Sequence, residues 1–500
     1  MTEGPIHAAV DLGASSGRVV AGRRAGGRVV LEEVHRFANR PVRLPDGLHW
    51  SLPELFGHAL DGIGAAAARG PLAGVGVDAW GVDYALLDGA GAMLGLPFHY
   101  RDARTEGMEA RAFDRVPASE LYAATGIQTL PINTVFQLLA EEGTPRLAAA
   151  ERLAFVPDLV AYWLSGVLAN ESTCASTSGL LDARTGRWAL GLVGRLGLPE
   201  RLFAEVVEPG ERLGPLLAGH AAGLGLPGRP PVVAVAAHDT ASAYAGAPVV
   251  DGASAVLSSG TWSLLGLELP GPVLEDAARE ANLTNERGVD GTTRLLKNVM
   301  GLWLLQECRR SWGAERSFDD LAQLAEAHRG EVPLFDPDDP VFLRPGPMPE
   351  LISAIARPSP APDDHQAVVR GILVSLACKY RWVLERLEHV AGVEVRRVHV
   401  IGGGARNAAL CGLTADLTGR PVLAGPVEAA ALGNILVQMR ASGTITSREE
   451  MRALAGASAD PVEHAPTADR AGAEETYRRF LDVSGLRTPA TVHHLEARPT

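Results

Sequence analysis

The chain has 500 residues, 46% of them apolar and 21% charged, the balance of a folded globular protein of two to four domains. Its formal net charge of −13 argues against electrostatic adhesion to nucleic acid or an anionic membrane, and no basic stripe with interleaved aromatics offsets it. A small anion held in a local cradle remains compatible with that charge.

Residues 8–10 read as a strand, 13–17 as a turn of small residues and 19–21 as the returning strand of a hairpin. The N-terminus lacks a basic leader region and Asp11 interrupts its first apolar run, so no signal peptide is expected. A third apolar run follows at 29–31, and strands at 72–77 and 85–87 flank a turn at 78–83. Helices are expected at 54–68 and 151–164, the second kinked or shortened by Pro157. The most apolar long stretch, 153–169, contains Pro157 and Asp158 and is too short and polar to span a bilayer. Residues 231–236 form a buried-type strand that runs into Ala237-His238-Asp239-Thr240 and a helix. The strand–turn–strand device then recurs at 255–257, 258–261 and 263–267. A duplicated fold with one hairpin per half explains this economically; chance recurrence of a short Gly/Ser turn is the alternative.

Residues 366–390 carry Val369, Ile372, Leu373, Leu376, Tyr380, Leu384 and Leu387 at helical spacing, a long amphipathic helix facing a core. A strand at 398–401 leads through Gly402-Gly403-Gly404 to helices at 408–417 and 429–439. Residues 336–348 and 357–364 are Pro-rich loops, and 488–500 a loose tail. Strands and helices interleave throughout, which gives an α/β class. The cysteines, Cys174, Cys308, Cys378 and Cys411, form no CxxC pair, which argues against zinc or thioredoxin chemistry and for a reducing, cytoplasmic compartment.

Five groups of residues carry chemistry. In Asp11-Leu12-Gly13-Ala14-Ser15-Ser16-Gly17-Arg18, small residues let backbone N–H groups converge on an anion, the serines add hydroxyls, and Asp11 suits a hydrated metal ion; a plain tight turn is the alternative. The segment is neither a Walker A loop nor GxGxxG. Ser258-Ser259-Gly260-Thr261 offers the same donors from the second half, with Trp262 read as core packing. Asp239, at a strand end beside His238 and Thr240, suits either a general base or a helix cap. Gly402 to Gly404 suits either close approach of a flat ligand or a flexible connection. Trp80-Gly81-Val82-Asp83, Tyr100-Arg101-Asp102 and Arg104 suit either a sugar pocket or a surface salt-bridge cluster.

Taken in order, residues 11–18, 237–242, 258–263 and 402–404 resemble the FGGY carbohydrate kinases. The stretches 78–83, 100–105, 126–128 with 133–134, 296–306, and 425–429 with 432–434 resemble the members of that family that act on L-rhamnulose. The match runs from about residue 6 to about residue 440. The resemblance implies an α/β fold of two ribonuclease-H-like (actin-like ATPase) domains around an interdomain catalytic cleft. The divisions are 1–247 (sugar site, first phosphate hairpin, catalytic Asp) and 248–487 (second hairpin, adenosine site). It implies ATP and Mg²⁺, a small-molecule ketose substrate, and phosphorylation of L-rhamnulose at its terminal hydroxyl. Carried over by position, Asp239 matches the catalytic base. Ala14, Ser15, Ser16, Gly17, Arg18 and Thr261 match phosphate contacts; Gln306 and one of Gly402 or Gly403 match nucleotide contacts. Gly81, His238, Asp239, Thr240 and Asn298 match sugar contacts, and Asp11 holds Mg²⁺ through water, with Asp239 a second candidate. No nucleic-acid or membrane partner is implied, and monomer and homodimer both stay open. The rival readings are a kinase for another ketose, such as L-fuculose or L-xylulose, and a non-catalytic ATP-binding module of the actin-like fold.

Overall fold

The computed structural model describes residues 4–487 except residue 250; the expected tail at 488–500 lies outside the described residues. Strands β1 (Ile6–Leu12), β2 (Ser16–Ala25) and β3 (Arg28–Ala38) form an antiparallel meander. Helix α1 (Leu52–Ala67) follows, with Pro53 in its first turn and Leu52, Leu55, Ala59, Ile63 and Ala66 buried at helical spacing. Strand β4 (Leu72–Ala79) lies parallel to β1.

The helix expected at 151–164 is instead strand β5 (Arg152–Phe155) followed by helix α2 (Val156–Ser165). Pro157 sits in the first turn of α2, where its missing N–H costs nothing, so it starts the helix instead of kinking it. Strands β6 (Arg212–Pro215) and β7 (Pro231–Val233) complete a sheet in the order β6-β7-β4-β1-β2-β3. Strand β7 is shorter than the expected 231–236, but the chain continues beside β4: the Ala79 N–H donates to the Ala237 carbonyl at 2.9 Å. Helix α3 (Asp239–Ala245) starts immediately afterwards.

The second sheet repeats the plan. Strands β8 (Ser254–Ser259), β9 (Ser263–Leu269), β10 (Thr284–Arg287) and β11 (Thr293–Val299) pair antiparallel. After the long helix α4 (His365–Ala391), strand β12 (Arg397–Ile401) returns parallel to β8 and β13 (Val422–Ala424) parallel to β12. Helix α5 (Ala429–Ala441) and strand β14 (Val462–His464) follow, giving the order β10-β11-β9-β8-β12-β13-β14. Each sheet thus contains a meander whose first strand is flanked by a parallel strand, the ribonuclease-H-like plan. The expected Pro-rich loop at 336–348 contains a short helical turn at Pro340–Phe342 and runs into a helix at Met348–Ile355. Among the described residues no helix is long and apolar enough to cross a membrane.

One face of β1 explains how the two sheets meet. Ala8 and Val10 point into the cluster that holds α1, whereas Ala9 points into the cluster formed by Leu432, Ile435 and Leu436 of α5. A helix from the second half therefore covers the first sheet. Gln438 Nε2 donates to the Ala8 carbonyl at 3.0 Å, and Asn434 Nδ2 donates to Asp78 Oδ2 at 2.6 Å. Helix α3 crosses α5 at near backbone contact: a Cβ at Gly433 would lie 1.8 Å from the Ser242 carbonyl oxygen.

Candidate functional site

Both hairpin turns, the start of α3 and the Gly402-Gly403 turn open on one cavity of about 380 Å³ between the sheets. The first turn closes through the Gly13 N–H to the Ser16 carbonyl, 3.0 Å, and is braced by Asn39 Nδ2 on the Gly13 carbonyl, 2.9 Å. Ala14, Ser15 and Ser16 line the cavity. Gly17 packs beside them, facing the Phe37 ring, where a Cβ would sit 2.3 Å from Cε2. Arg18 lines the cavity, yet its guanidinium is engaged: Nε donates to Asp11 Oδ2 at 2.8 Å and a second nitrogen pairs with Glu428 from the other half.

From the second half come Ser258, Ser259, Gly260 and Thr261. Thr261 Oγ1 lies 3.4 Å from the Gln306 amide. Gly402 adopts φ +81°, a left-handed value that favours glycine, and Gly404 packs so tightly that a Cβ would lie 2.0 Å from Ser259 Oγ. At Gly403 a Cβ would meet nothing within 4 Å, so the cavity is open above this turn, where a flat ligand fits. Ser259 Oγ is buried and has no hydrogen-bond partner. Unpartnered hydroxyl, open turn and converging hairpins fit the phosphates and base of a nucleotide.

Asp239 is the first residue of α3, with His238 at the cap position. Its side chain accepts from Thr240, both from Oγ1 at 3.1 Å and from the backbone N–H, and lies 3.5 Å from His238 Nε2. Burial pushes its carboxyl above the ordinary value, the His238 charge opposes, and Asp11 adds to the rise. Beneath it the fully buried Asp78 is also pushed up, first by burial and then by Asp11. A carboxylate at a cavity floor with a raised proton affinity is suited to taking a proton from a bound hydroxyl.

The residues expected to contact a sugar converge as well. His238 Nδ1 lies 3.2 Å from Glu286 Oε2, which Arg294 also approaches at 3.2 Å. Burial alone would raise Glu286, but Arg294 and hydrogen bonds from His238 and Asn298 hold it below the ordinary carboxylate value. Asn298 is fixed across the cleft by Gln128, whose Oε1 accepts from the Asn298 N–H at 2.9 Å and from Nδ2 at 3.1 Å. Gly81, His238, Asp239, Thr240 and Asn298 all line the cavity, together with Trp80 and Tyr100.

The polar cluster around residue 100 divides. Trp80, Gly81, Val82 and Tyr100 face the cavity; Asp83, Arg101, Asp102 and Arg104 do not. Asp83 stands behind the wall: its Oδ2 accepts from Trp50 Nε1 at 2.6 Å, Trp80 Nε1 at 3.0 Å and the Tyr100 N–H at 3.1 Å, and its Oδ1 from Gln137 Nε2 at 2.8 Å. Arg101 stacks 4.0 Å over the Trp303 ring and Arg104 donates to Gln137 Oε1 at 2.8 Å, so both hold structure from the inside. Trp262, expected in the core, is only partly buried and lines the cavity, with Nε1 3.3 Å from the Tyr100 hydroxyl.

Sequence reasoning left Gln128, Thr177, Glu286 and Arg36 out of the site, although the Gly126-Ile127-Gln128 stretch had been singled out. Only the pairing of Gln128 with Asn298 across the halves shows why it belongs there.

The model of the N-terminal domain of the FGGY family of carbohydrate kinases matches residues 6–246, and that of the C-terminal domain residues 255–442. The chain is 41% identical over 477 residues to the rhamnulokinase of Bacteroides thetaiotaomicron, covering 94% of this chain and 98% of that protein. It is 38% identical over 488 residues to the rhamnulokinase of a Yersinia pestis strain, covering 96% and 98%. Among solved structures, a ligand-bound xylulose kinase from Lactobacillus acidophilus superimposes with a TM-score of 0.80 at 14% identity, over 96% of this chain and 97% of that one. Plasmodium falciparum glycerol kinase with ADP gives 0.77 at 13%, over 97% and 100%; at such identity these two speak for the fold alone. The fold is the two-domain actin-like one, and the reading as a non-catalytic ATP-binding module is set aside. With both halves matched end to end and the cleft between them built as described, the chain belongs to the FGGY family of carbohydrate kinases and is an ATP-using sugar kinase.

Proposed function

We propose that the chain transfers the γ-phosphoryl group of Mg·ATP to the terminal hydroxyl of L-rhamnulose, giving L-rhamnulose 1-phosphate and ADP. The observation that carries this reading is the 41% identity to a rhamnulokinase over 94% of the chain. Asp239 is the base: it takes the proton of the attacking hydroxyl, and its raised proton affinity suits that task. Ala14, Ser15, Ser16 and Thr261 hold phosphates, Gln306 and the Gly402-Gly403 turn hold the nucleoside, and Gly81, His238, Thr240 and Asn298 hold the sugar. Mg²⁺ neutralises phosphate charge when bound, with Asp11 its water-mediated holder and Asp239 a second candidate. Trp80, fixed by Asp83, gives the ketose an apolar wall. The division into an N-terminal unit at 1–247 and a C-terminal unit at 248–487 belongs to the same reading, with the base at the end of the first. All four thiols are free and buried, which supports a reducing, cytoplasmic setting.

The test is sugar-dependent ADP release with L-rhamnulose against L-fuculose, L-xylulose, L-ribulose, D-xylulose and glycerol. We expect kcat/KM for L-rhamnulose at least about tenfold above every other, about 1.4 kcal/mol of discrimination. A flat or different ranking overturns the substrate while leaving the kinase class intact. Asp239→Asn is expected to lower kcat by about 10²–10⁴-fold; retained turnover removes it from the role of base.

A further inference from the structure

Away from the cleft, β3 packs on α1 and brings three metal-ligating side chains together. His35 leaves β3; His58 and Asp61 leave α1 three residues apart, and therefore from one helix face. His35 Nε2 and His58 Nδ1 lie 3.2 Å apart, and one ligand atom from each of the three residues falls within 4.8 Å of the other two. We propose that His35, His58 and Asp61 bind one borderline divalent transition-metal ion of the Zn²⁺ class, in a site separate from that of Mg·ATP.

The geometry argues for this ion class. Zinc–imidazole bonds of about 2.0–2.1 Å set tetrahedral nitrogen–nitrogen edges of about 3.3 Å, and the histidine pair already stands at 3.2 Å. The rings are held there by packing. His58 stacks on Phe37 with centroids 4.5 Å apart and planes at 11°, and His35 leans on the same ring at 5.5 Å. Both histidines are half-buried, whereas Asp61 is exposed and able to turn its carboxylate inward, with water in the fourth position. Two imidazoles and one carboxylate select Zn²⁺ over Mg²⁺, which prefers oxygen ligands and keeps its own waters. Occupancy ties β3 to α1 at the ring of Phe37, which in turn supports Gly17 of the first phosphate hairpin. The ion thus stiffens the support of that hairpin without entering the cavity.

The experiment is Zn²⁺ titration of the purified full chain by calorimetry in millimolar Mg²⁺, with thermal melts, for the wild type, His58→Gln, His35→Asn and Asp61→Asn. We expect one equivalent bound by the wild type and a higher Tm with Zn²⁺. In either histidine variant the affinity falls at least about tenfold and the Tm rise is lost; Asp61→Asn, an exposed substitution that leaves folding intact, weakens binding in the same direction. Wild type that binds no Zn²⁺, or Asp61→Asn and whichever histidine variants fold all binding it as the wild type does, overturns the proposal.

Discussion

The crossing of α3 and α5 allows a prediction with its size worked from geometry. In Gly433→Ala the new Cβ would lie 1.8 Å from the Ser242 carbonyl oxygen, 2.7 Å from its carbon and 2.9 Å from the Gly246 nitrogen. All three neighbours are backbone, so no side chain can rotate aside, and the helices must separate by more than an ångström. Overpacking of this kind costs about 1–3 kcal/mol, and an immobile neighbour puts it at the top of that range. Replacing Gly by Ala within a helix returns about 1 kcal/mol of propensity. The net loss is about 2 kcal/mol, or roughly 4–8 °C in Tm for a cooperative unit of some 250 residues. Asp239 begins the displaced helix α3, so sugar-dependent ADP release falls as well. Scanning calorimetry and the coupled assay check both. A variant as stable as the wild type refutes the argument, because propensity would then have outweighed the clash.

Two further outcomes follow from the site. Burial and Asp11 raise Asp239 against the opposing His238, so this proposed base loses its ionised form at a pH above the ordinary aspartate range. The kcat/KM profile for the sugar therefore falls on acidification with a limb above pH about 4, whereas a limb at or below the unperturbed value of about 3.9 contradicts the raised affinity. Asp83→Asn leaves one acceptor and one donor group where Asp83 accepts four hydrogen bonds; each lost charge-assisted bond is worth about 1.5–3 kcal/mol. The Trp80 and Tyr100 wall loosens, and KM for the sugar rises more than tenfold while KM for ATP holds, as separate saturation curves for each substrate would show.

Local patterns were readable where local physics decides them. Both hairpins could be read because a turn of small residues between apolar runs has few other solutions, and α4 because its apolar spacing is helical over many turns. Pro157 misled because a proline near the middle of an apolar run looks like a breaker; only the preceding strand β5 shows that the helix begins there. Gly17 shows the limit of local reading: a glycine in a turn has two uses, ligand approach and packing, and the Phe37 ring it packs on comes twenty residues later. Arg101 and Arg104 lie one and four residues from Tyr100, yet point behind the wall it forms. Glu286 and Gln128 carry no local signal; their roles arise from contacts with His238 and Asn298, made only when distant segments meet.

The charge inside the cavity makes a last demand. Asp11, Asp239 and Glu286 line it and Asp78 lies beneath, while the arginines on its walls are Arg18 and Arg36. Arg18 is already paired with Asp11 and Glu428, and Arg36 with Glu33 at 2.8 Å. The chain's lysines, Lys297 and Lys379, are buried elsewhere: Lys297 donates to the Asn282 carbonyl at 3.1 Å and Lys379 to Asp336 at 2.8 Å. At 4 Å and an effective dielectric of about 20, each unscreened pair of like charges costs about 4 kcal/mol. Backbone N–H groups of the two turns supply partial charge only. A triphosphate entering without a cation therefore meets net repulsion from the floor, which a bound Mg²⁺, with Asp11 as the residue that would hold it, would offset. ATP affinity measured by calorimetry should fall at least tenfold when Mg²⁺ is replaced by EDTA, and Asp11→Asn should shrink that difference. Equal affinity in both conditions would mean that the hairpin amides alone neutralise the phosphates, and that Asp11 serves only to hold Arg18.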